Sequence, residues 1–373
     1  MSVDLTLDRL NDVLEVEKYF DYLLSMVIVD ADKILYEKYL RARGKSSFTR
    51  KRVGKSIARI RGYIIPSDVT VVSETNIPII PCIVTNPAIE IYNNMVYIYL
   101  RLASIGSVFS RTFISVAKLK PENLSGRMPE NLSGRIKVKA YPILYGIMPY
   151  ECVEDPRVDP DKNLSLYHVR AIYRTEISRV FTFHSQLTDY RVDKIEAINF
   201  YSKEWGTFLI QDYRDTFPLN NSFMIVRPFF KDKGFGVIAI GPRHGVQVDF
   251  DELEVPPELL PSTDEVKAGG NATLRLSNNE YLLLYHIVDD HGVYYTYGAL
   301  FDRDAELLAL TEEPIIAPEA GVYSGRRPST VFVCGATLYG DSIIISAGRD
   351  DEITLIYEIG KQEIYDSLKY VSG

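Results

Sequence analysis

Asn271-ATLRLSNNEYLLLYHIVDD, residues 271–290, reads as two strands around an Asn278-Asn279 turn. Asn-Asn tolerates the left-handed backbone that a tight hairpin needs. The second strand, Tyr281-Leu-Leu-Leu-Tyr-His286, is apolar without a break until its histidine, as in a strand covered on both faces. Four other stretches share this build: Asn86-PAIEIYNNMVYIYLRLAS, Asp155-PRVDPDKNLSLYHVRAIYR, Val226-RPFFKDKGFGVIAIGPR and Val333-CGATLYGDSIIISAGRDD. Their turns fall at Asn93-Asn94, Asp159–Asn163, Lys231–Gly234 and Tyr339–Asp341. The five units start 69, 71, 45 and 62 residues apart. Self-similar hairpins at such a spacing predict the blades of a β-propeller, each burying one face against its neighbours. A sandwich would space alternating strands about 8–12 residues apart, which the continuous YLLLYHI, VIAIG and SIIIS runs do not resemble. The expectation is an all-β, five-bladed β-propeller over residues 63–373, preceded by a helical extension over 1–62.

The extension is predicted from helical spacing: Leu5, Leu7, Leu10, Val13, Leu14, then Tyr19, Leu23, Leu24, Val27, then Ile34, Leu35, Tyr39, Leu40. Asp30 and Asp32 are positioned to cap the second helix. Between Arg41 and Gly62 stand nine bases and no acid. Such a run can track phosphates, but only Phe48 is available to stack a base and the net charge of the chain is −8. A solvated or subunit-contacting arm is the better reading, with no nucleic-acid partner, and residues 1–62 are the candidate homo-oligomer contact. Cys82, Cys152 and Cys334 are odd in number and far apart, so neither a disulfide framework nor a zinc cluster is expected. The N-terminus carries acids where a signal peptide needs bases, and no run of about 18 apolar residues occurs. A soluble, cytoplasmic protein without a membrane partner is expected. The heptapeptide Pro121-Glu-Asn-Leu-Ser-Gly-Arg127 returns at Pro129–Arg135, a duplication expected in a permissive loop.

The candidate for chemistry is Asp155, within Glu154-Asp155-Pro156-Arg157-Val158. Proline fixes φ just before an extended run and aims the carboxyl from a strand end. The plainer alternative is a turn in which Arg157 pairs with Glu154 on the surface. If the hairpins are blades, their ends converge on the axis. They bring Asn86, Arg101, Asp155, Arg227, Arg243, Asn271, Arg275, His286, Arg349 and Asp350 together, with Asp289, Asp290 and His291 at the rim. One acid among bases and amides suits inverting transfer at a sugar. A hydrolase needs a second carboxylate to activate water, whereas phosphate is already an anion that arginines can hold. No metal and no cofactor are called for, only inorganic phosphate as co-substrate.

These residues resemble glycoside hydrolase family 130, the five-bladed propeller β-mannoside phosphorylases and related mannosidases, over roughly residues 70–360. The matching stretches are Asn86-Pro-Ala88, Tyr97–Arg101, Glu154–Val158, Gly241-Pro-Arg243, Leu282–His286, Pro314–Glu319, and Val331–Ala336 followed by Gly340-Asp341 and Asp350. The resemblance implies that Asp155 is the general acid and that phosphate attacks the anomeric carbon with inversion. It places Arg243 and His286 at the phosphate, with Arg275 where the family has a lysine, and Arg227 as a further candidate. Asn86, Arg101 and Asp350 fall at sugar-contacting positions. The substrate implied is an oligosaccharide or glycoside, a β-mannoside foremost. A hydrolase of the same fold, or a non-catalytic glycan- or partner-binding propeller, are the alternatives.

Overall fold

The structure, a computed structural model, describes residues 13–46, 48–72, 79–104, 111–121, 134–148, 150–173, 179–318 and 327–371. The first helical stretch up to residue 12, Glu319 and most of the duplicated heptapeptide lie outside them. Among the described residues the strands fall into five sheets, each built outward from an inner strand. The inner strands of four are Ile83–Tyr92, Glu151–Asp159, Glu265–Arg275 and Val331–Tyr339. The third sheet contributes the short hairpin of Phe217–Pro218 and Phe223–Val226. These strands pack in a ring, so the expected five-bladed propeller is the fold. Their burial is continuous: Tyr281–Asp289 is buried at every position, as an apolar run with both faces covered requires.

Four expected hairpins pair as read. Ile83–Tyr92 meets Met95–Ala103 across Asn93-Asn94, both residues at positive φ. Glu151–Asp159 meets Lys162–Ile172, Glu265–Arg275 meets Glu280–Asp289, and Val331–Tyr339 meets Ser342–Arg349. The third differs. Lys231–Lys233 does close a small ribbon, Phe229–Phe230 against Phe235–Gly236, but that ribbon pairs in parallel with Lys267 of the fourth sheet. The third blade's own hairpin joins Phe223–Val226 to Ala239–His244. Pro228, with no N–H for a ladder, stands where the chain leaves one sheet for the next.

The ring is closed by pairing two strands far apart in sequence. Arg59–Ile64 pairs antiparallel with Ile353–Gly360 in the fifth sheet. Ahead of it, α1 (Val13–Ser25) buries Val16, Phe20 and Leu23 on Phe181, Phe183 and Leu209, and α2 (Ala31–Ala42) sets Tyr36 and Tyr39 on Phe230 and Phe235. Asp30 is the N-cap of α2 but makes no capping bond, and pairs with Lys33 instead. Asp32 takes a hydrogen bond from the Tyr213 hydroxyl. The basic run is largely exposed, as expected of a solvated arm, yet five of its bases also pair with acids of the propeller. Arg50 pairs with Glu265 at 2.7 Å, Lys51 with Glu312 at 2.7 Å and Arg61 with Glu358 at 2.6 Å, while Arg52 meets Asp264 and Arg59 meets Glu363. It is a strap laid on acidic edges of the fourth and fifth blades.

Candidate active site

Four inner hairpins share one irregularity. The register slips between Thr85 and Ala88, Glu154 and Arg157, Gly270 and Ala272, and Val333 and Gly335. A bulge bends its strand and re-aims the extra residue, and the residues in these slips are Asn86, Asp155, Asn271 and Cys334. Asn86 and Asp155 take the left-handed backbone, at φ 45° and 49°, which a short polar side chain tolerates. Each is followed by proline.

Two of the slip residues, Asn86 and Asp155, line a cavity of about 420 Å³, a volume common for small-ligand sites. Every blade or blade junction lines it: Asn86 and Arg101; Glu154, Asp155 and Tyr173; Asp212, Arg214 and Asp215; Arg227 and Phe229; Lys267 and Tyr294; Arg327, Thr330, Phe332 and Asp351.

Asp155 retains 14% side-chain exposure, enough for a ligand to reach it. Asn86 Nδ2 donates to its Oδ1 at 2.8 Å and Arg101 Nη1 to the same oxygen at 2.7 Å. Burial pushes its proton affinity up, but Arg101, Arg157 and the Asn86 hydrogen bond outweigh burial, and the carboxyl is held below its usual range. Glu154 lies deeper, pairing with Arg101 at 3.0 Å and Arg214 at 3.1 Å and accepting the Tyr173 hydroxyl at 3.2 Å. The surface pair between Glu154 and Arg157 is therefore not formed. Arg157 is buried instead: its Nη1 donates to the Asp155 carbonyl at 2.8 Å, its Nε to the Asn271 carbonyl at 2.9 Å and its Nη2 to Asp215 Oδ1 at 2.8 Å. Asp215 Oδ2 stands 2.6 Å from Arg227 Nε.

The other expected residues divide. Arg227 lines the cavity. Asn86 and Arg101 also line it, yet their hydrogen bonds go to Asp155, so they hold the acid whatever else they touch. His286 sits one layer behind: Asn271 Oδ1 faces its Nδ1, and its ring packs on Tyr294 and Phe332 at 5.5 and 5.2 Å. Burial, reinforced by Lys267 and Arg227, drives its proton affinity well down, so the ring is neutral. Its Nε2 is buried and unpartnered among the described residues.

Three further expected residues stand outside the cavity lining. Arg243 is buried in the seam between the second and third blades, its guanidinium taken by Asp159, the Tyr167 hydroxyl and the Asn220 carbonyl. Arg275 ends a strand that runs outward from Gly269 by six residues, about 20 Å at strand rise. It is half-exposed beside Asp161 and Asn278. Asp350 turns its carboxylate to the Thr330 N–H and Arg349, leaving Asp351 to line the cavity. Asp289, Asp290 and His291 cluster elsewhere, with Asp289 bonded to the backbone of its own turn. Lys267, Arg214, Arg327, Asp215 and Tyr294 were not anticipated. The polar Asp212-Tyr-Arg-Asp215 loop ahead of an apolar strand was the available signal for two of them.

The family model described as beta-1,4-mannooligosaccharide phosphorylase matches residues 48–370. Two curated Thermoanaerobacter sp. (strain X514) proteins match shorter stretches. A 1,2-beta-oligomannan phosphorylase is 30% identical over 98 residues, 25% of this chain and 33% of the relative. A beta-1,2-mannobiose phosphorylase is 34% identical over 87 residues, 22% and 29% respectively. The matched stretches thus span about a third of those relatives. Among solved structures, a beta-1,2-mannobiose phosphorylase from Listeria innocua superimposes with a TM-score of 0.59 at 17% identity, over 81% of this chain and 96% of that one. MPT-4, a mannose phosphorylase from Leishmania mexicana, does so at 0.54 and 14%, over 84% and 92%. At such identities these two report the fold, whereas the family model runs from the strap to the last described strand, across every blade that lines the cavity: the chain belongs to glycoside hydrolase family 130.

Proposed function

We propose that the cavity is a phosphorolysis site, in which inorganic phosphate seated against Lys267, Arg227 and Arg327 attacks the anomeric carbon of a β-mannoside while Asp155 protonates the leaving oxygen. The glycosidic C–O bond breaks, a C–O–P bond forms on the opposite face, and α-mannose 1-phosphate leaves with the shortened sugar. The observation that carries this is Lys267. Its ammonium lines the cavity, meets the Tyr294 hydroxyl at 2.9 Å, and has no carboxylate within ion-pair distance among the described residues. A cation left without a counter-charge beside two arginines is a seat for an anion.

Hydrolysis would need a carboxylate free to activate water. Glu154, Asp212, Asp215 and Asp351 all line the cavity, but each faces an arginine. Arg101 and Arg157 hold Asp155 ionised, and phosphate is the remedy: a like charge arriving nearby raises its proton affinity, so the acid loads as the co-substrate binds. Phe229 and Phe332 offer apolar faces for a sugar ring. The names of the curated relatives make a β-1,2-linked mannoside the first substrate to try, with the β-1,4 linkage second.

In this reading the catalytic propeller begins at Arg59, four residues before the expected boundary at 63, because Arg59–Ile64 is a strand of its fifth sheet, and the residues before it are an accessory extension. The extension leaves Val13, Leu14 and Tyr22 outward on α1 as a self-association face, which sedimentation of the full chain as a monomer would remove. Cytoplasmic residence is supported by three free cysteines. The test is turnover of β-1,2-mannobiose with and without phosphate. Phosphate-dependent release of α-mannose 1-phosphate is expected, and equal cleavage to free mannose in phosphate-free buffer would overturn the proposal.

A further inference from the structure

The buried carboxylate of Asp215 is shared. Its Oδ1 accepts from Arg157 at 2.8 Å and its Oδ2 lies 2.6 Å from Arg227 Nε. Arg157 is the residue that also holds the Asp155 carbonyl, and Arg227 lines the cavity. One carboxylate thus stands between the guanidinium beneath the acid and the guanidinium assigned to the anion. The site is tight around it. A Cβ on Gly269 would come within 2.8 Å of Asp215 Oδ2, 2.8 Å of Arg227 Cδ and 2.6 Å of His286 Cε1, so only glycine lets the three converge.

Resting on the phosphorolysis reading, we propose that Asp215 is the charge-balancing positioning residue of this site: by dividing one carboxylate between Arg157 and Arg227 it keeps phosphate loosely held and Asp155 available to a proton. The electrostatics follow from counting neighbours. Asp155 faces Asn86 and Arg101 from the first blade, Arg157 on its own strand, Asp215 from the junction before the third, and Cys334 from the fifth, with His286 behind. Asp215 is the anion among these that opposes the two arginines. Without it, Arg157 acts on Asp155 undiluted, and Arg227 is a buried cation whose remaining route to neutralisation is the ligand.

The outcome is unlike that of an ordinary binding-site lesion. Asp215→Asn should bind inorganic phosphate more tightly, by about tenfold in calorimetry, and turn over more slowly. The alkaline limb of its kcat profile should lie about one pH unit lower than in the parent enzyme. Arg227→Gln is the opposed variant: it leaves Asp215 to serve Arg157 alone, so phosphate binds more weakly and the limb moves to higher pH. A merely structural role predicts weaker phosphate binding and an unmoved limb in both variants, and that result overturns the proposal. If Asp215→Asn does not fold, the direction of the Arg227→Gln limb decides alone. An unmutated enzyme that cleaves mannosides without phosphate refutes the underlying function instead, which separates the two failures.

Discussion

Asp155 receives both of its hydrogen bonds on Oδ1, which leaves Oδ2 as the oxygen that carries a proton to the substrate. Asp155→Asn removes that proton and should lower turnover of a mannobiose by about 10²–10⁴, with a much smaller loss on an aryl mannoside whose leaving group needs no acid. Steady-state rates on the two substrates check this. Lys267→Met should raise KM for phosphate about tenfold or more while kcat changes little, since the ammonium acts on the bound anion. Infrared difference titration of the parent enzyme against Asp155→Asn, with and without phosphate, should show the carboxyl protonating at higher pH when the anion is present. The unliganded carboxyl is held low by Arg101 and Arg157, and a bound anion opposes them. Asp155, Asn86 and Arg227 were legible because proline or a strand end marks them. Lys267 was not, because a lysine at the start of a long strand has no local signature. Arg243 misled for the converse reason: Gly-Pro-Arg looks like a strand end, yet its side chain enters a seam where Asp159 waits.

The recurring element is the slipped inner hairpin. It is why turn chemistry alone located most of the blades: Asn93-Asn94 and Asn278-Asn279 fix hairpins whose far ends must meet at the axis. What stayed hidden was the third blade, whose inner hairpin has strands of two and four residues and leaves no long apolar run to read. A ribbon from the same stretch was lent to its neighbour. Gly269 sits at the start of this hidden geometry. Gly269→Ala must displace Asp215, Arg227 or His286, none of which is free to move. The variant should lose most activity while its circular dichroism, dominated by the outer strands, stays that of the parent.

At the scale of the whole molecule, the strap of residues 48–58 and the two helices bind the ring from outside. Arg50 and Glu265 are 6% and 3% exposed. Arg50→Gln strands a buried carboxylate, which costs about 3–5 kcal/mol, and chemical denaturation should register it. Deleting residues 1–46 uncovers Phe183 and Phe230, and removes Val16, Phe20 and Leu23, each contributing roughly 1.5–3 kcal/mol. A lower melting temperature and light scattering on heating are the expected outcome. The helices were legible from spacing, but their partner was not: an amphipathic stripe shows that something covers it, and Phe181 and Phe183 are distant in sequence.

The seam in the fifth sheet has its own implication. Because Arg59–Ile64 finds its neighbour in Ile353–Gly360, a polypeptide emerging from the ribosome carries an unsatisfied β edge from the time residue 64 is made until residue 360 follows. Through all that time the nascent product is an open arc with a sticky lip, and a stall just before the closing strand leaves that lip exposed to other chains.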